Sequence, residues 1–144
     1  MLKYGIIEES VSNYSSPIVM VKKKTTSDSK NPELRRCVDY RKLNEKTISL
    51  AGPTPRLGDI IDAMSQTRPN FISNLNLFSG YWQCEDHANS RYKTAFVTGD
   101  RHLQFRRLPF GLKNSPAFFV LLTNKILKGL TGKFCSIYID DIIM

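Results

Sequence analysis

Along the chain, short apolar runs alternate with polar, turn-forming stretches, and the spacing within each run predicts its element. "SPIVMV" and "CVDYRKL" flank the polar stretch "KKKTTSDSKNPELRR" at 22–36, a pattern that predicts two strands joined by a mobile basic loop. Pro17 favours an extended entry into the first of them. In 54–64, Leu57, Ile60, Ile61 and Met64 recur at i, i+3, i+4 and i+7, which predicts an amphipathic helix with Pro55 near its start and Gly58 as a weak point. "NFISNLNLF" reads as a strand with Leu75 and Leu77 facing a core and Asn74 and Asn76 facing the other way.

Further on, "RYKTAFVT" and "RHLQFRRLPF" are separated by Gly99-Asp100, a hairpin signal. "LKNSPAFFVLLTNKILKG" predicts a largely buried helix with Ser115 as N-cap, Pro116 as first helical residue and Gly129 at its end. The chain then turns through "GLTGK" into "FCSIYIDDIIM". Helices mixed with antiparallel hairpins, rather than a βαβα alternation, make the expected class α+β.

Composition changes this picture in two ways. A chain of 144 residues with 41% apolar side chains has the length and core of one ordinary domain. Its net charge of +8 resides at the two ends, while residues 51–100 are slightly acidic, so a polyanionic partner is one reading and a solvated surface the other. The three cysteines, Cys37, Cys84 and Cys135, form neither a disulfide framework nor a zinc pattern, and Cys37 and Cys135 sit in strand-like runs as small hydrophobes. With no signal peptide and no apolar run of spanning length, the expected setting is intracellular, cytoplasmic and reducing.

The unusual chemistry is Asp140-Asp141, two carboxylates inside an apolar, β-branched run. Buried without partners they would cost too much in desolvation, so they are expected to form the tip of a tight hairpin, with Phe134–Ile139 running up and Ile142–Met144 starting down. Such a pair is either an ordinary turn, since Asp is a turn former, or part of a site for hard cations that prefer oxygen ligands.

Six motifs then carry a resemblance: "SSPIVMVKKK", "RRCVDYRKLNEKT", "LNLFSGYWQ", "YKTAFVT", "LPFGLKNSPAFF" and "YIDDII". Their order and spacing over nearly the whole chain resemble reverse transcriptases of gypsy-type LTR retrotransposons and their retroviral relatives. The resemblance implies the fingers and the first part of the palm of a right-hand polymerase, ending at Met144 within the hairpin. It implies an RNA-directed DNA polymerase that extends a primer on an RNA or DNA template from deoxynucleoside triphosphates, with thumb and ribonuclease H domains in the complete polyprotein.

By the same resemblance Asp140 and Asp141 match the aspartates that bind two Mg2+ ions. Lys23 and Arg35 match residues that hold the incoming triphosphate, although "TTSDSKNPE" is longer than the family's usual turn there. Tyr81 matches the aromatic gate against a 2′-hydroxyl, and Phe110 a residue packing against the nucleotide, with Gly111 allowing close backbone approach. Without the family, Tyr81 would read as a core aromatic and the lysines as a solvated loop.

One position departs from the pattern. Where the family has Leu-Asp-Leu, this chain has Leu75-Asn76-Leu77. An amide oxygen carries no formal charge, so one of three expected negative charges is missing beside two divalent ions. The expectation is a reverse transcriptase domain with weakened metal binding and little or no polymerase activity. The alternatives are a non-catalytic basic remnant that binds nucleic acid, and a non-functional remnant that folds poorly.

Overall fold

The structure, a computed structural model, describes residues 1–22, 34–52 and 56–144. The expected triphosphate ligand Lys23, most of the basic loop and Pro55 lie outside the described residues. In chain order the elements are β1 (Ile7–Glu9), β2 (Ile18–Lys22), β3 (Leu34–Val38), α1 (Arg41–Lys46), α2 (Leu57–Thr67), β4 (Asn74–Asn76), α3 (Gly80–Gln83), α4 (Ala88–Arg91), β5 (Phe96–Thr98), β6 (Arg101–Phe105), α5 (Ser115–Ile126), β7 (Ser136–Tyr138) and β8 (Asp141–Ile143). The strands form three antiparallel sheets ordered β1-β6-β5, β2-β3 and β4-β8-β7, as the α+β reading requires. Among the described residues, no helix is long and apolar enough to cross a membrane.

The chain divides into two compact units, the first made of Met1–Ile48 with Tyr81–Lys113 and the second of Ser49–Gly80 with Asn114–Met144. In the first, the two-residue turn Gly99-Asp100 joins β5 to β6, and Gly99 takes the positive φ of 58° that the first position of such a turn demands. Alternation along β6 turns Leu103 and Phe105 inward, opposite Phe96 and Ile7, and these four form the buried core with Ile6, Ile18 and Val38 packed on it. Each such side chain contributes about 1.5–3 kcal/mol by leaving water.

Two predicted strands of this unit stop early, both because a side chain takes over backbone hydrogen bonding. After Val38, the Asp39 carboxylate accepts the Arg41 backbone N–H at 3.1 Å, and "YRKL" enters α1 instead of extending the strand. "RYKT" is likewise not strand but a 3₁₀ turn, Tyr92–Thr94. There the Thr94 hydroxyl donates to the Arg91 carbonyl at 2.6 Å and accepts the Phe105 N–H at 2.9 Å.

In the second unit, α2 forms where the periodicity places it, yet among its described side chains only Ile60 is buried, while Leu57 and Ile61 are half exposed. The strand expected over "NFISNLNLF" shortens to β4, and Leu75 is half exposed rather than seated in a core. Helix α5 is capped by Asn114, not Ser115: Ser115 is buried in the first turn, and the Asn114 side chain accepts the Leu50 N–H at 2.9 Å. It ends at Ile126, with Gly129 in the turn that follows. Phe119, Val120 and Thr123 are buried, but Phe118, Leu121 and Ile126 face solvent, so α5 is not largely buried as its composition suggests. A unit this small has too little surface to cover a helix that is apolar all round. Cys84 and Cys135 are buried, Cys37 is partly exposed, and none of the three is in a disulfide among the described residues.

Gly80 sits where no side chain fits: a Cβ there would lie 2.5 Å from the Phe119 ring, which is itself buried. Gly80→Ala is expected to destabilise the protein by about 1–3 kcal/mol through overpacking. Gly58, inside α2 with nothing within 4 Å of its added Cβ, is the control. Gly58→Ala is expected to stabilise by roughly 0.5–1 kcal/mol. Urea denaturation of both variants checks the pair, and a silent Gly80→Ala would contradict the close packing.

Candidate active site

The carboxylate pair is carried by the β7-β8 hairpin, whose geometry differs from expectation by one residue. Tyr138 pairs with Asp141, so the two-residue turn is Ile139-Asp140 and Asp141 is the first residue of β8. The turn forces Ile139 to φ 57°, a region that β-branched residues avoid. Hydrogen bonding on both sides holds it there: β8 is the central strand, pairing with β7 and with β4, and the Leu77 N–H donates to the Asp140 carbonyl at 3.2 Å.

Alternation along β8 separates its apolar and polar work. Ile142 pairs with the buried Ile137 on one side and Leu75 on the other, whereas Asp141 lies between Tyr138 and Asn76. Asn76 therefore faces the carboxylate, as the parity of "LNL" predicts, and its amide Nδ2 donates to Asp141 Oδ1 at 3.1 Å. That bond gives the carboxylate a charge-assisted partner and occupies a lone pair that a cation would use. Among the described residues no group of three His, Cys, Asp or Glu side chains could hold a metal ion. Two carboxylates and an amide that donates to one of them do not fit a pair of magnesium ions.

The remaining site residues described here belong to the first unit. Tyr81, in α3, is buried, and its ring centroid is 4.8 Å from that of the half-exposed Phe110. Trp82 meets Phe110 edge-on at 5.5 Å, and its indole Nε1 is buried with no hydrogen-bond partner among the described residues. Arg35, on β3 opposite Val21, shares the lining of a cavity of about 810 Å³ with Trp82, Phe110 and Gly111. Gly111 has φ 92°, and a Cβ there would meet only ordinary contacts at 3.7 Å from Tyr40 and the Val38 carbonyl. Backbone conformation, more than close approach, is what asks for glycine.

Three residues without a signal in the apolar periodicity support this region. Tyr40 is buried, donates its hydroxyl to the Thr94 carbonyl at 2.8 Å, and has its pKa pushed up by desolvation, with the nearby Asp86 charge adding to the effect. Thr94 joins that bond to the two described above. Asn44 holds the segment after Phe110: its Nδ2 donates to the Gly111 carbonyl and its Oδ1 accepts the Lys113 N–H, both at 2.8 Å. At the entry to α1, the Arg41 guanidinium beside Asp39 lowers that carboxyl to about 2.

Comparison with known proteins gives the family and the fold. The family model described as "Reverse transcriptase (RNA-dependent DNA polymerase)" matches residues 21–144. The chain is 40% identical over its full length to the retrovirus-related Pol polyproteins from transposons 297 and gypsy of Drosophila melanogaster, spanning 13% and 14% of their lengths. Its fold is similar to that of the foamy viral protease-reverse transcriptase in complex with an RNA/DNA hybrid, with a TM-score of 0.84 and 28% identity over 99% of this chain and 18% of that one.

The Asn76–Asp141 contact makes a prediction that needs no turnover. Asn76→Asp replaces a donor with a second carboxylate facing Asp141, and without metal it is expected to lower stability by about 1–2 kcal/mol. Millimolar magnesium should then raise the melting temperature of the variant while leaving that of the unaltered chain unchanged. Equal melting temperatures of the two metal-free proteins would contradict the role given to this bond.

Proposed function

The chain belongs to the reverse transcriptase (RNA-dependent DNA polymerase) family, and on that premise we propose that residues 1–144 are the fingers and the first part of the palm of a polymerase that copies a template into DNA. The first unit receives the deoxynucleoside triphosphate. Arg35 engages the triphosphate as a planar, bidentate donor and Lys23 as a point charge. Tyr81 lies under the sugar, where its ring occupies the space a 2′-hydroxyl would need, and Phe110 packs on the same nucleotide. Support for this pocket comes from Arg35, Phe110 and Gly111 lining one cavity and from the Tyr81–Phe110 ring contact. Primer-template, thumb and ribonuclease H domains complete the working enzyme.

The observation that carries the reading is Asn76 opposite Asp141 on neighbouring strands. In this family divalent magnesium supplies charge stabilisation for phosphoryl transfer, and three carboxylates facing one another would hold it. Here two carboxylates, Asp140 and Asp141, are retained, and the third position is an amide. Unit charges a few ångströms apart interact by about 1 kcal/mol in bulk water and about 4 kcal/mol at an effective dielectric of 20, doubled for a divalent ion. Loss of one carboxylate is thus enough to weaken cation binding severely, and this copy has little or no polymerase activity of its own. A second reading, binding to nucleic acid without catalysis, is favoured by the net charge of +8 together with Asn76.

Primer extension in the complete polyprotein chain tests the proposal. Asn76→Asp is expected to raise magnesium-dependent extension at least tenfold over the unaltered sequence. No gain would count against it. Retained binding of RNA and DNA that needs no magnesium and falls steeply with salt would then support the second reading.

A further inference from the structure

Phe110 is half exposed and lies between two differently held neighbours: on one side Pro109 is fully buried and the Leu108 N–H donates to the Cys84 carbonyl at 3.0 Å, and on the other Gly111 sits at a positive φ. The restraint on that second side is supplied from α1, about seventy positions earlier in the chain. Asn44 uses both ends of its amide on one short segment, donating to the Gly111 carbonyl and accepting the Lys113 N–H. Lys113 Nζ adds a bond to the Thr47 carbonyl at 3.2 Å, at the end of the same helix. Tyr40, just before α1, is buried against Gly111 and anchored through its hydroxyl to Thr94. The segment 110–113 is thereby fixed to α1 at two backbone points on either side of Leu112, and Phe110 is the first residue beyond them.

We propose that Asn44 is a positioning residue for sugar selection: its amide clamps Gly111 and Lys113, and so holds Phe110 against Tyr81 at the spacing that excludes a 2′-hydroxyl. The inference rests on the nucleotide pocket proposed above. An amide is the side chain that suits the task, because the two backbone groups it meets are one acceptor and one donor. A carboxylate keeps the second contact and turns the first into repulsion between two oxygens. The clamp acts through the Tyr81–Phe110 pair and touches no substrate, so its loss should alter discrimination between sugars more than the strength with which the triphosphate is held.

The chain reports on this directly, since Trp82 is its single tryptophan and meets Phe110 edge-on. The experiment titrates deoxyadenosine triphosphate and adenosine triphosphate against Trp82 fluorescence in the full 144-residue chain, unaltered and as Asn44→Asp and Asn44→Ala. Loss of one hydrogen bond with an unpaired partner corresponds to roughly a five- to tenfold change, and the preference for the deoxy sugar is expected to fall by that factor in both variants. Trp82 emission should shift at the same time. An unchanged preference in variants that fold would overturn the proposal. If the unaltered chain binds neither nucleotide, the pocket reading fails on its own, while an unshifted Trp82 emission in the variants would still overturn the clamp. Hydrogen exchange of the Lys113 amide in the unaltered protein needs no variant: slow exchange supports the clamp and exchange at the unprotected rate overturns it.

Discussion

Two adjacent carboxylates, one in the turn and one on a strand that must also feed a hydrophobic core, are the constraint around which the second unit is arranged. Strand alternation allows only one solution: Ile142 points to Ile137 and Leu75, and Asp141 points the opposite way. Making β8 the central strand satisfies its backbone on both edges, and this over-determination is what keeps Ile139 at an unfavourable φ. The polar face is then left with a carboxylate that needs a partner. In this chain the partner is the Asn76 amide, and the same hydrogen bond that occupies Asp141 Oδ1 is what sets the site at odds with a two-ion centre.

The first unit meets a different difficulty with the same means. Its apolar core, gathered from β1, β5 and β6, is small, and the segments that bear Tyr81 and Phe110 are short helices and loops with little regular structure of their own. Polar side chains, Thr94 buried and Asn44 partly exposed, tie these segments down. Thr94 makes three bonds at one point, to Arg91, Phe105 and Tyr40, and Asn44 makes two to the segment after Phe110. Each is worth little alone in net free energy, but at the buried Thr94 an unmade bond costs more than a made one contributes, so the arrangement there tolerates few alternatives. Trp82 Nε1, buried and without a partner, is the exception among the described residues, and it lies beside the same aromatic group.

Local chemistry was largely legible. Gly99-Asp100 marks its hairpin, the i, i+3, i+4 spacing marks α2, and Pro116 marks the start of α5, because each depends on residues within a few positions. The differences lie at element ends. Strand ends at Val38 and Phe96 coincide with hydrogen bonds from Asp39 and Thr94, residues that periodicity does not weigh, while the N-cap at Asn114 and the turn at Ile139-Asp140 each differ by one residue from the local signal. Burial was misjudged in α2, β4 and α5 because a pattern of apolar residues shows which face is available for burial, not whether a neighbour covers it.

The sequence by itself determined the order of elements, the α+β class, the family, and the substitution of an amide at position 76, since all of these are properties of residue identity and short-range spacing. Only the tertiary structure decided that Asn76 donates to Asp141, that Gly80 is required by the Phe119 ring, and that Asn44 grips the chain beyond Phe110. Those contacts join residues 39 to 69 positions apart, where the intervening chain exerts no conformational preference. Their geometry follows from how strands and helices close into units, which no local pattern of side chains encodes.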